Sequence, residues 1–251
     1  AGLEPGAVFE YFEALCAIPH GSHNTKAISD FLVDFAKKQQ IRYIQDESNN
    51  IILFADGTCG LEGHEPVVLQ GHMDMVCEKD EGCPIDMDTQ GLDLCHDNLC
   101  VFAKGTTLGG DDGIAVAYAM ALIADRTIPH PPLEVIITVD EEVGMLGADV
   151  IDVSMLKGRK MINLDSEDEG IFTVACAGGA TATISLNVSR KAVYGPCVRL
   201  CVDGLRGGHS GAEIHKNRAN ANKVMGEFMS RILKLMPLCL TSFSGGNKDN
   251  A

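Results

Sequence analysis

The chain has 251 residues, 45% of them hydrophobic, and a formal net charge of −15. That length allows one large domain or one domain and part of another. The acidity argues against nucleic acid and anionic membrane as partners, and no apolar run of about 18 residues is present to span a bilayer. The ten cysteines include no C-x-x-C pair and sit mostly among apolar residues. They are expected as reduced thiols of a cytoplasmic protein. The start lacks both an initiator Met and a signal-peptide pattern, and the end, SFSGGNKDNA, lacks a closing element. Both ends are expected to be cut.

Residues 5–18 carry Val8, Phe9, Phe12, Leu15 and Cys16 at helical spacing, between Pro5 and Pro19. This predicts a helix. His20 and His23 follow in PHGSHN, where turn residues favour solvated side chains over ligands. A second helix is predicted over 25–39. Strands are predicted at 41–45, 50–55 and 66–70, and a hairpin over 92–102 with its turn at 96–98.

The strand at 66–70 runs into GHMDMV, where Gly71 permits a turn. His72 and Asp74 are two apart and share one face of an extended chain. An imidazole held by a carboxylate is the arrangement used by zinc-binding histidines. The glycine-rich loop GTTLGGDDG, 105–113, opens a helix over 111–125. It has no P-loop Lys-Ser/Thr, and Asp111 and Asp112 at the helix start suit a cation better than a phosphate. A strand over 133–139 ends in Asp140-Glu141-Glu142. Strand alternation would send Glu141 and Glu142 opposite ways and give them different roles. A short strand at 160–164 ends in Asp165.

Strands alternating with helices predict an α/β fold, a twisted and mainly parallel sheet flanked by helices. Such sheets bring strand ends together at their carboxyl edge. His72, Asp74, Asp111, Glu141, Glu142 and Asp165 then converge, a donor set suited to divalent cations. From about residue 177 the pattern changes. A hinge at 177–180 precedes alternating strands at 181–188 and 198–202, the loop GLRGGHSG carrying His209, a helix over about 217–235 and a strand at 238–243. The boundaries expected are a catalytic domain over 1–177 and the start of an α+β lid over 178–251.

The segments IPHGSHN, LQGHMDMVCEK, TTLGGDDGIAVAYAMA, TVDEEVGMLGA, NLDSEDEG and RGGHSGAEIHKNRANANK resemble the di-zinc metallopeptidases that include carnosinase, aminoacylase and carboxypeptidase G, and within them most nearly the aminoacyl-histidine dipeptidases. The resemblance implies a two-zinc, Xaa-His-cleaving peptidase, with Mn2+ or Co2+ as possible substitutes. It implies that His72 and Asp165 bind one zinc, Asp111 bridges both, and Glu142 binds the second. Asp74 orients His72, and Glu141 is the general base. His209 reaches the substrate, often across the interface of a homodimer formed through the lid. A tripeptidase, an N-acyl amino acid deacylase, or a non-catalytic protein keeping the fold are the alternatives. The family also uses a histidine from a C-terminal segment, and neither His64, His130 nor His215 fits that place. The chain is therefore expected to be the N-terminal part of a longer enzyme, to bind the Glu142-side zinc weakly and to hydrolyse little.

Overall fold

The computed structural model describes residues 2–97, 99–166, 169–175, 182–206 and 214–246. They form two compact units, Ala1–Ile171 and Phe172–Ala251.

In the first unit, helix α1 (Gly6–Cys16) buries Val8, Phe12, Leu15 and Cys16 along one stripe. Helix α2 (Lys26–Gln39) buries Ile28, Leu32, Phe35 and their neighbours, and stops where Gln40 turns left-handed at φ 57°. Tyr11 meets Phe35 edge to face, with ring centroids 5.5 Å apart, and so joins the two helices. Strands β1 (Arg42–Gln45) and β2 (Ile51–Ala55) form a hairpin. Its turn is closed by Asp46, whose Oδ1 accepts the amides of Ser48 and Asn50 at 2.9 and 2.8 Å. A connection this short can only join antiparallel strands. Strand β3 (Val67–His72) follows, then a small separate hairpin, β4 (Leu94–His96) with β5 (Val101–Ala103). That hairpin turns later than the sequence pattern suggests, because Asp97 Oδ1 accepts the amides of Leu99 and Cys100, both at 2.7 Å, and so closes a longer loop.

Helix α3 (Gly110–Ala124) packs on α1 and on β3. Gly113 leaves room for Phe12, whose ring carbon would lie 3.3 Å from a Cβ there. Strand β6 (Leu133–Thr138) is buried at every residue, so both its faces are covered. A five-residue helix, α4 (Leu146–Val150), which no periodicity in so short a segment announces, precedes the exposed edge strand β7 (Lys160–Asn163).

The main sheet has the order β1-β2-β6-β3-β7. The β6–β3 and β3–β7 pairs are parallel, whereas β2 runs against both β1 and β6. β2 is thus the one reversed strand in a mostly parallel, helix-flanked α/β sheet. The carboxyl ends of β3, β6 and β7 lie on the same edge.

The second unit contains helix α5 (Ala221–Ile232), capped by Asn220, whose side chain accepts the Lys223 amide at 3.0 Å. The cap explains why the helix starts later than the expected residue 217. Of the strands expected at 181–188, 198–202 and 238–243, none is formed among the described residues. An alternating pattern makes a strand only when a neighbour pairs with it and covers its apolar face. Here Ile184, Leu186 and Val188 are 81, 79 and 72% exposed. The expected hinge at 177–180 and the loop bearing His209 lie outside the described residues. No helix among those described is long and apolar enough to cross a membrane, and the nine described cysteines are free.

Candidate metal centre

The centre starts from Gly71. A Cβ there would lie 2.5 Å from Asp112 Oδ2 and 3.1 Å from the Ala115 methyl, so only glycine lets β3 lie this close to the start of α3. Asp112 Oδ2 then accepts the His72 amide at 3.2 Å. The His72 side chain is 1% exposed. Its Nδ1 lies 2.9 Å from the Asp74 carbonyl oxygen and 3.3 Å from Asp74 Oδ1. With Nδ1 held there, Nε2 faces the opposite side, 3.0 Å from Asp111 Oδ1 and 3.9 Å from Glu141 Oε2.

Asp74 connects the parts. Its Oδ1 also accepts the Glu141 amide at 3.0 Å, and its Oδ2 accepts the Ser22 hydroxyl at 2.8 Å and the Glu142 amide at 3.4 Å. Burial works to raise its pKa, but the hydrogen bonds from His72, the Glu141 amide and Ser22 outweigh burial and lower it. Asp74 is therefore a fixed anion that ties the end of β3 to the residues after β6.

Two groups of potential ligands share His72: one with Glu141 and Glu142, the other with Asp111 and Asp165. In each group the ligand atoms lie within 4.8 Å of one another. Burial alone would lower the His72 pKa, yet the contacts with Asp111 and Asp74 raise it to about 11. Asp111 is lowered, chiefly by its hydrogen bond to His72. Glu142 is pushed up to about 7 by burial and then by the charge of Asp111, and Glu141 is raised by burial. Asp112 is also pushed up to about 7 by burial. One imidazole among several crowded carboxylates, with one ring nitrogen already held, is a donor set that fits zinc or a similar divalent cation.

The strand-alternation argument that separated Glu141 from Glu142 does not apply. β6 ends at Thr138, and Asp140 turns at φ 54°, so the two glutamates stand in a turn and both reach His72. His20 also differs from the expectation of a solvated side chain. It is 3% exposed, its Nδ1 lies 2.5 Å from the Ile18 oxygen, and its backbone oxygen accepts the Met75 amide at 3.2 Å. Turn residues around it indicate local conformation, whereas its burial comes from chain more than 50 residues away. His23 is exposed and pairs with Asp140, Nδ1 to Oδ2 3.3 Å. Ser22 had no signal as part of the site beyond its nearness to motif residues, whereas Asp112, read from the sequence as suiting a cation, accepts the His72 amide. His209 lies outside the described residues.

No protein-family model matches the chain. It is 38% identical over 251 residues to a cytosol non-specific dipeptidase of Escherichia coli K12, an alignment that covers 99% of the chain and 52% of that protein. Its structure is similar to that of an aminoacylhistidine dipeptidase of Vibrio alginolyticus, with a TM-score of 0.69, 33% identity, and coverage of 93% of the chain and 48% of the other. The fold is shared further with an aminopeptidase PepT of Bacillus cereus, at a TM-score of 0.54, 19% identity, and coverage of 97% and 62%. The chain spans about half the length of the first two relatives. It belongs to the peptidase family of the cytosol non-specific and aminoacyl-histidine dipeptidases.

Proposed function

We infer that the chain carries metal-binding residues of a zinc-dependent dipeptidase that cleaves Xaa-His dipeptides. The observation behind this reading is that two ligand groups share His72, whose Nδ1 faces Asp74 and whose Nε2 lies 3.0 Å from Asp111 Oδ1. His72 and Asp165 would hold one zinc, Asp111 would bridge, and Glu142 would hold the second. Zinc bound there supplies Lewis acidity, polarising the scissile carbonyl and allowing water to lose a proton near neutral pH.

The remaining work falls to the protein. Asp74 keeps the imidazole in one orientation. Glu141, raised by burial and 32% exposed at its side chain, takes a proton from the attacking water and returns it to the leaving amine. Asp111 is 53% exposed at its side chain, so the site opens towards a peptide on that side while His72 stays dry. His209 would stabilise the developing oxyanion. A homodimer formed through the second unit belongs to the same reading. A second reading, a broader dipeptidase, is favoured by the name of the E. coli relative.

Relative rates on an Xaa-His dipeptide, another dipeptide, a tripeptide and an N-acetyl amino acid separate these readings. Zinc-dependent cleavage that favours the Xaa-His dipeptide and falls at least ~10²-fold in Glu141→Gln supports the first. Hydrolysis that survives this substitution, or needs no metal, refutes it.

A further inference from the structure

We propose that Ser22 is a positioning residue for the metal centre, acting through Asp74. The proposal rests on His72 being a metal ligand. Ser22 lies in the loop between α1 and α2, far in sequence from the strand ends that bear the ligands. The loop is nonetheless tied to the chain after β3. Gly21 bridges Met75, the Met75 amide donates to the His20 oxygen at 3.2 Å, and the Ser22 amide donates to the Met75 oxygen at 3.4 Å. A Cβ at Gly21 would come within 2.6 Å of Cys77 Sγ, so a side chain there would require that thiol to move. This places the Ser22 hydroxyl 2.8 Å from Asp74 Oδ2.

The arithmetic of the Asp74 carboxylate gives the hydroxyl its importance. Oδ1 has two partners, His72 Nδ1 at 3.3 Å and the Glu141 amide at 3.0 Å. Oδ2 has Ser22 and the Glu142 amide, and the latter is long at 3.4 Å. Without the hydroxyl, Oδ2 keeps one weak donor and the carboxylate gains freedom to rotate. Rotation moves Oδ1 away from His72 and releases both glutamate amides, so one loss loosens ligands in both groups. Partners of ligating histidines typically change metal affinity by about 10–100-fold when removed, and a group one bond further out belongs at the lower end.

The test is Co2+ binding to the 251-residue chain, by equilibrium dialysis and by the visible absorption of the bound ion. Ser22→Ala should weaken Co2+ binding about 10-fold and shift the absorption bands. Ser22→Thr keeps the hydroxyl and should restore both. Asn24→Ala removes a hydrogen bond from the same loop, to the Asp88 oxygen, without touching Asp74, and should leave both unchanged. Thermal unfolding of each variant confirms that the fold is retained. Unchanged affinity and spectrum in Ser22→Ala overturn the proposal, as does an equal loss in Asn24→Ala or a failure of threonine to restore binding. Wild-type protein that takes up no Co2+ overturns the reading of His72 as a ligand, and with it the role of Ser22.

Discussion

His72 Nδ1 and Asp74 Oδ1 lie 3.3 Å apart, with side chains only 1% and 0% exposed. In so dry a contact the pair is weakly screened, and the carboxylate, with the Asp74 carbonyl oxygen 2.9 Å from Nδ1, fixes both the direction and the tautomer of the imidazole. Asp74→Ala should therefore lower zinc affinity by about 10–100-fold. It should also destabilise the fold by about 1–3 kcal/mol, because the Glu141 and Glu142 amides lose their acceptor. Dialysis and urea unfolding measure the two effects. A variant with wild-type affinity would show that Asp74 does not orient the ligand.

Gly71 tests the packing beneath the site. Gly71→Ala places a methyl 2.5 Å from Asp112 Oδ2, so the buried carboxyl that accepts the His72 amide must move. The expected loss is about 1–3 kcal/mol of stability, read by chemical denaturation. A neutral alanine would mean that the strand and helix separate freely.

His20 gives a dependence on pH. Burial holds it below the ordinary value of 6.5, against the opposing effects of the Ile18 oxygen and Asp74. Just below pH 6.5 the unfolded chain therefore binds more protons at this residue than the folded one, and stability rises with pH there. The penalty is absent above the unfolded pKa and grows as pH falls towards the folded one. With metal removed, wild type should lose more stability than His20→Gln between about pH 7.5 and about pH 5.5. Equal losses would contradict the burial account.

Cys16 is buried beside Leu108, and burial pushes its thiol up to about 12. The thiolate is the reactive form, so Cys16 should resist alkylation in the folded protein while exposed Cys59 and Cys100 react. Mass spectrometry after labelling, with and without denaturant, reads this directly. Labelling of Cys16 at the rate of Cys59 would show that α1 opens readily.

Elements with a long period were legible in the sequence. The stripes of α1 and α2, the continuous apolar run of β6 and the glycine before His72 each follow from local chemistry, and parallel strands put their ends together. What was not legible depended on distant chain. Ser22 meets Asp74 across 52 residues, and the His20 oxygen accepts the Met75 amide from beyond β3. Glu141 and Glu142 converge because Asp140 turns the chain, an event that alternation cannot foresee. The expected strands of the second unit show the converse: among the described residues a pattern of period two remains unpaired.

The central claim is that His72 is a zinc ligand held in place by Asp74, and zinc binding by equilibrium dialysis tests it most directly. His72→Ala should abolish tight binding of the zinc that it holds with Asp165, whereas Glu142→Ala should weaken only the second zinc. Unchanged zinc affinity in His72→Ala would place the metal elsewhere and contradict the account.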